Sequence, residues 1–346
     1  MKIFQVMGGG KHGGAETAFV DMCLAMHEAG EDVEVVTRAN AVRVPQLQEA
    51  GLPVHILPFG GPIDFYTSWR LAQLIKQKNP SIIQTWMSRA AHKIPKIAND
   101  HCKVVSRLGG YYKIKYFQNT DHFIVITEGL RQHLQDQGVA DHVITQIVNF
   151  AETEARFDPV SRESLHTPED ACVLLSLARL HANKALDVAI TALKDLPNAY
   201  LWLAGEGPER GALQALAKTL GVEGRVRFLG WRTDRGALLQ TADICLFCSR
   251  IEPFGTVFAQ AWSQKTSLIV SDAEGPAQFC RHEEDSLMVP KDNAGAIVDA
   301  VQKLLGDNAL EERLVERGYE RYKAEFTKEK SVQAYLNFYR SLLTES

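Results

Sequence analysis

Short apolar runs rich in β-branched residues alternate with amphipathic stretches along nearly the whole chain, and this alternation restricts the fold more than any other feature. Strands that alternate with helix-length segments predict parallel sheets joined by crossover helices. Residues 3–7 read as a strand, 15–29 as an amphipathic helix ending at Gly30, and 33–37 as the next strand, which makes a βαβ unit. Further strands are expected at 54–57, 82–85, 104–106, 123–127 and 143–148, with helices such as 68–78 and 127–137 between them. After Asn149 the periodicity lapses through Phe157-Asp158-Pro159 to Pro168-Glu169-Asp170, a polar stretch with two prolines that suits a linker. The pattern then restarts, with strands at 173–177, 199–204, 226–230, 244–248, 268–271 and 286–289 and helices such as 213–220 and 294–305. At 346 residues the chain is long for one domain and short for three. The α/β expectation is therefore two Rossmann-like domains with parallel sheets, residues 1–155 and 156–327. A last segment, 328–346, carries apolar residues at Val332, Tyr335, Leu336, Tyr339 and Leu342 and reads as a helix returning to the first domain.

Composition narrows the class of protein. The chain is 45% hydrophobic and 23% charged, as globular proteins are. The opening run MKIFQVM is too short for a signal peptide, and no run approaches the roughly 18 apolar residues of a membrane span, so a cytoplasmic protein is expected. Six irregularly spaced cysteines imply no disulfide framework. Cys245 and Cys248 form a C-x-x-C, but inside the apolar run Ile244-Cys245-Leu246-Phe247-Cys248, which reads as a buried strand rather than a redox or metal loop. A formal charge of −4 argues against nucleic acid as a partner. Locally the balance differs: Lys93, Lys96, Lys103, Arg107, Lys113 and Lys115 face only Asp100. That stretch reads as a solvated face, as a site for an anionic acceptor, or as peripheral contact with an anionic membrane on its cytoplasmic side.

Gly8, Gly10 and Gly13 spell G-x-G-x-x-G between the first strand and the first helix, the context of a dinucleotide fingerprint. The acidic residue that would hold a ribose is absent at the end of the second strand, where Thr37-Arg38-Ala39-Asn40 stands. An arginine there keeps an NADP-dependent oxidoreductase open. The other readings are a tight turn without a ligand, and a loop whose glycines, Gly14 included, let backbone approach an anion at a helix N-terminus. Glu16 falls in the first turn of that helix, where a carboxylate offsets the dipole.

The second half carries an ordered set of motifs, each at the carboxyl end of an expected strand, where open α/β sheets bind ligands. Ala178-Arg179-Leu180-His181-Ala182-Asn183-Lys184 places two cations five apart, able to converge on a diphosphate. Gly205-Glu206-Gly207-Pro208 follows, then Gly230-Trp231 with a ring that could stack on a base, then Ser249-Arg250-Ile251-Glu252-Pro253-Phe254-Gly255-Thr256-Val257 leading into a helix. This order, with Gly13-Gly14-Ala15-Glu16 at the amino terminus and Asn149 with Phe157-Asp158-Pro159 between the halves, resembles the retaining glycosyltransferases of family 4, which have the GT-B fold. The resemblance extends over most of the chain.

The resemblance implies two Rossmann-like domains facing across a cleft, with Arg179 and Lys184 neutralising the departing diphosphate of a nucleotide sugar, a UDP-sugar by expectation. It implies that Glu252 contacts the donor sugar and that Gly13, Gly14, Gly205, Trp231, Phe254, Gly255, Thr256 and Val257 help to bind the donor. The second acid of the family's E-x7-E pattern, which holds the ribose, falls on Gln260; an amide loses the charge assistance of a carboxylate, so a weakened or altered donor site is expected. The histidine that many members carry after the strand at 104–106 is also absent, with Arg107-Leu108-Gly109-Gly110-Tyr111-Tyr112 in its place. Either a backbone group does that work or the acceptor is held differently; His12, His92 and His181 can also contribute, though each reads first as a surface or loop histidine. No Asp-x-Asp pair occurs, so no metal and no cofactor are expected. Trp86, Arg89, Tyr111, Tyr112 and Lys113 are the candidate acceptor-binding residues, for a cell-envelope glycan or a lipopolysaccharide core. A sugar-nucleotide epimerase and a catalytically weak nucleotide-sugar-binding protein remain as alternatives.

Overall fold

The computed structural model describes residues 1–10, 13–61, 63–97, 101–151, 153, 158 and 160–344. Two compact units divide the chain, 1–149 with 328–346, and 150–327. His12, Phe157 and Pro159 of the sequence motifs lie outside the described residues.

The first unit holds a parallel sheet of β1 (Lys2–Met7), β2 (Asp32–Thr37), β3 (Val54–Ile56), β4 (Ile82–Trp86), β5 (Lys103–Leu108), β6 (His122–Val125) and β7 (Ile144–Gln146), in the order β3-β2-β1-β4-β5-β6-β7. The second holds β8 (Cys172–Leu177), β9 (Ala199–Ala204), β10 (Val226–Gly230), β11 (Ile244–Phe247), β12 (Ser267–Ser271) and β13 (Leu287–Val289), also parallel, in the order β10-β9-β8-β11-β12-β13. Every strand lies where the apolar pattern put it, to within about two residues at each end. The runs are continuous rather than alternating because helices cover both faces of each sheet: Ile3, Phe4, Val6 and Met7 of β1 are all fully buried. Both sheets reverse their direction of growth once, between β1 and β4 and between β8 and β11, and the crevice at the carboxyl ends beside such a reversal is where open sheets receive ligands.

The helix Lys328–Thr344 packs with the first unit and buries the five apolar positions expected of it. Polar contacts fix its register. The Tyr339 hydroxyl donates to Oε1 of Gln84, Ser331 Oγ donates to the Val148 carbonyl at 3.2 Å, and Lys328 and Arg340 pair with Glu28 and Glu31 at 3.1 Å each. In the second unit Phe326 is buried among the rings of Phe258, Trp262 and Phe279.

Three sequence expectations change here. Trp86 is 1% exposed, donates from Nε1 to Gln5 at 2.7 Å and lies under the Arg107 guanidinium at 4.5 Å, so its ring belongs to the core and offers no platform to an acceptor. Arg107 is buried with it and donates to Oδ1 of Asn149. Lys93 is buried as well, its Nζ donating to the carbonyls of Gly61 and Asp64 at 3.1 and 2.6 Å. Two of the six cations in the basic stretch are thus internal. Cys245 and Cys248 lie in and just after β11, and burial pushes both thiols up to about 12, which leaves them protonated and inert. Among the described residues no helix is long and apolar enough to cross a membrane.

Candidate functional site

In the second unit the motif residues gather where the sheet reverses. The loop after β8 is laced to the loop after β9 by backbone bonds from Ala178 N to Ala204 O and from Leu180 N to Glu206 O, both at 3.1 Å. That approach requires glycine: a Cβ on Gly205 would stand 1.9 Å from the Ala178 carbonyl oxygen, and one on Gly207 2.2 Å from that of Leu180. The chain then turns through Ala182–Lys184 and enters the helix Leu186–Ala192.

The loop after β11 meets this one from the far side of the reversal. Gly255 has φ +76, and a Cβ on it would reach 2.2 Å from the Phe247 ring, so the close turn needs glycine on both counts. The Glu252 carbonyl accepts from Gly275 N at 2.8 Å, which fixes the loop from behind. Phe254 is buried, with ring centroids 5.5 and 5.0 Å from Phe258 and Phe279. Its side chain therefore anchors the loop to the core; this corrects the expectation that it meets the donor.

Lys184 and Glu252, both half-buried, form an ion pair across the two loops. Arg250 binds the loops together. Its guanidinium donates to both Asp187 oxygens at 2.9 and 2.7 Å, to Asp292 and to the Ala182 carbonyl at 2.6 Å, while its backbone N donates to Asn183 O at 2.8 Å. Burial opposes ionisation of Asp187, but the Arg250 hydrogen bonds and charge outweigh it and hold the carboxyl below its usual range. The same hydrogen bonds raise Arg250. The Cys248 thiol adds contacts to the carbonyls of Lys184 and Ala185 at 3.8 and 3.7 Å. Arg179 is exposed and, among the described residues, forms no ion pair.

Other motif residues lie around this centre. An antiparallel bridge joins Gly205 to Gly230, and Trp231 beyond it is 79% exposed, so its ring is open to stacking. Thr256 stands at the N-cap of the short helix Val257–Ser263 without a side-chain cap, and Gln260 on that helix is 5% exposed. Nδ1 of His181 accepts from Asn183 N at 3.2 Å, a local turn bond.

In the first unit the glycine loop and Arg89 flank the reversal between β1 and β4. Arg89 Nη1 donates to Gly8 O and Arg43 Nη1 to Gly10 O, both at 3.4 Å. Gly13 caps the helix Gly14–Glu28 without a side-chain bond, and Glu16, in the first turn, also accepts from Gly10 N at 2.7 Å, a bond to the loop that its position alone did not indicate. Tyr111 and Lys113 are exposed; Tyr112 is half-buried and its carbonyl accepts from Gln137 Nε2 at 3.0 Å. His92 is exposed, edge-on to Tyr116 at 5.7 Å.

Sequence reading named Arg179, Lys184 and Glu252 but missed Arg250, Asp187 and Asp292. Nothing local marks them, because the Arg250 contacts span 63 and 42 residues.

Two family models match the chain: Glycosyltransferase Family 4 over residues 12–155 and Glycosyl transferases group 1 over 158–321. The chain is 33% identical over 344 residues to the lipopolysaccharide core biosynthesis glycosyltransferase LpsE of Rhizobium meliloti, covering 96% of this chain and 97% of that one. It is 34% identical over 336 residues to LpsD of the same organism, described in the same words, covering 95% and 96%. Among solved structures, HepE of Anabaena in complex with UDP superposes with a TM-score of 0.84 at 18% identity, over 99% of this chain and 100% of the other.

Proposed function

Because the chain belongs to the family 4 glycosyltransferases and has their GT-B fold, it is a glycosyltransferase, and we propose that it moves a sugar from a UDP-sugar to a hydroxyl of a lipopolysaccharide core or related cell-envelope glycan, with retention of anomeric configuration. The observation that carries this reading is the Lys184–Glu252 pair at the reversal of the second sheet. The two near-full-length relatives named for lipopolysaccharide core biosynthesis support the acceptor class, and the UDP complex of the structural neighbour supports the nucleotide.

On this reading Lys184, with three donors and only part of them spent on Glu252, turns toward the β-phosphate of the donor, and the exposed Arg179 joins it. Their charge stabilises the leaving diphosphate as the bond from the anomeric carbon to its oxygen breaks, while the acceptor oxygen attacks from the same face and its proton passes to the departing phosphate oxygen. Glu252 contacts the donor sugar, Trp231 stacks on the base, Gln260 holds the ribose and backbone at Gly205, Gly255, Thr256 and Val257 lines the donor. In the first unit Arg89, Tyr111, Tyr112 and Lys113 meet the acceptor. No metal takes part, and the protein works at the cytoplasmic face of a membrane that carries its acceptor. Proton NMR of the product tests retention: the anomeric coupling of the new linkage should match that of the donor, and an inverted coupling would overturn it.

A further inference from the structure

Four large apolar side chains stand exposed within seven residues of the first unit: Ile63 at 85%, Phe65 at 76%, Tyr66 at 55% and Trp69 at 57%. Hydrogen bonds hold the start of the helix that presents them. Asp64 caps the helix Phe65–Lys78, accepting from Thr67 N at 3.0 Å and from Gly60 N at 2.7 Å, and buried Lys93 clamps the turn through the Gly61 and Asp64 carbonyls. These part-buried polar bonds hold the start of the helix so that its apolar groups face outward, and contiguous patches of this kind mark interaction surfaces.

The charge around the patch identifies the partner. Residues 63–120 contain ten Lys and Arg against Asp64 and Asp100, a net of +8 in a chain of −4. Lys93 and Arg107 are internal, but Lys96, Lys113 and Lys115 are exposed. Next to Lys93 on the same helix, His92 meets the Tyr116 ring edge-on, and Lys115 lies over that ring at 5.2 Å from its centre, so these cations continue from the helix whose Lys93 holds the aromatic turn. Aromatic rings with polar tips, beside lysines and almost no carboxylate, match the boundary between acyl chains and anionic headgroups.

We propose that this surface seats the enzyme on an anionic bilayer, with Ile63, Phe65 and Trp69 entering the headgroup layer and Lys96, Lys113 and Lys115 contacting lipid phosphates. The inference deepens the reading of a membrane-borne acceptor, and its test measures binding without turnover, so either can fail alone.

The full chain is sedimented with vesicles of phosphatidylcholine alone and of phosphatidylcholine with phosphatidylglycerol, at low and high salt. Wild type should sediment with the anionic vesicles only, and less at high salt. Phe65→Ser with Trp69→Ser, and separately Lys113→Glu with Lys115→Glu, should each weaken binding by about tenfold or more while melting as wild type does. Leu305→Ser, an exposed apolar side chain in the second unit, should bind as wild type. No binding to anionic vesicles, or equal binding by all variants, would overturn the proposal. So would a dimer of wild type in sedimentation velocity that the Phe65→Ser, Trp69→Ser variant abolishes, since the patch would then hold a second copy.

Discussion

The Lys184 ammonium and the Glu252 carboxylate, 68 residues apart in sequence, are paired across the point where the second sheet reverses. One follows β8 and the other follows β11, so the two halves of the sheet contribute one group each. The pairing fixes the Lys184 ammonium beside the reversal, where the proposed function puts the donor diphosphate. Lys184→Ala should lower kcat by about 10²–10³, in the range seen when a group that stabilises developing charge is removed. Steady-state kinetics beside a melting curve checks this, and near-normal turnover in a folded variant would count against the leaving-group role.

Arg250 touches neither group of that pair but joins the loops that carry them. Arg250→Ala leaves Asp187 and Asp292 without their cation, and we expect kcat to fall about tenfold as the pair loses its alignment. Arg250→Lys should recover only part, because an ammonium cannot reproduce the two-pronged contact with Asp187. Equal kcat in all three proteins would make the arginine a surface contact.

The Asp187 carboxyl, held below its usual range mainly against burial by Arg250, makes the clasp sensitive to acid. A depressed folded pKa contributes stability that is complete above the unfolded value, about 3.9, and is lost as pH falls through the folded value. The melting temperature of wild type should exceed that of Asp187→Asn by a constant margin from about pH 5 to 8, and the margin should close below about pH 4. A margin that persists at lower pH would show that charge is not the cause.

Gln260 is nearly buried on the helix that begins after Gly255. Gln260→Glu should tighten UDP binding by about tenfold, one charge-assisted hydrogen bond for a neutral one, and should lower the melting temperature of the free protein because a carboxylate is desolvated there. Calorimetric titration with UDP reads the first effect and thermal melting the second. Unchanged affinity would remove Gln260 from the ribose site.

The sheets were legible because most strands are buried on both faces and largely apolar, with β3, β7 and β10 partly exposed, and the helix Lys328–Thr344 because its buried residues recur at helical spacing. The helix Asn308–Arg321 gives a fainter signal, burying only Leu310, Leu314 and Gly318. Side-chain direction was the weaker inference. Trp86 ends a strand as an exposed platform could, yet Gln5 and Arg107 draw it inward; Lys93 and Arg107 look like surface cations until the carbonyls and Asn149 that hold them are seen. Arg179 and Lys184 stood out as candidates by loop position and charge and Glu252 by the family resemblance, and the structure brings Lys184 and Glu252 together. Arg250 was not, because its partners converge only in three dimensions.

Transfer from a UDP-sugar to an envelope glycan can be read as a change in acceptor mass. The most direct test incubates the protein with a panel of UDP-sugars and with lipopolysaccharide from cells that lack this chain, and reads the acceptor by mass spectrometry. A single glycosyl residue should be added with one donor, matched by release of UDP and slowed by about 10²–10³ in Lys184→Ala. An epimerised donor with no change in acceptor mass, or UDP-sugar binding without any product across the panel, would contradict it.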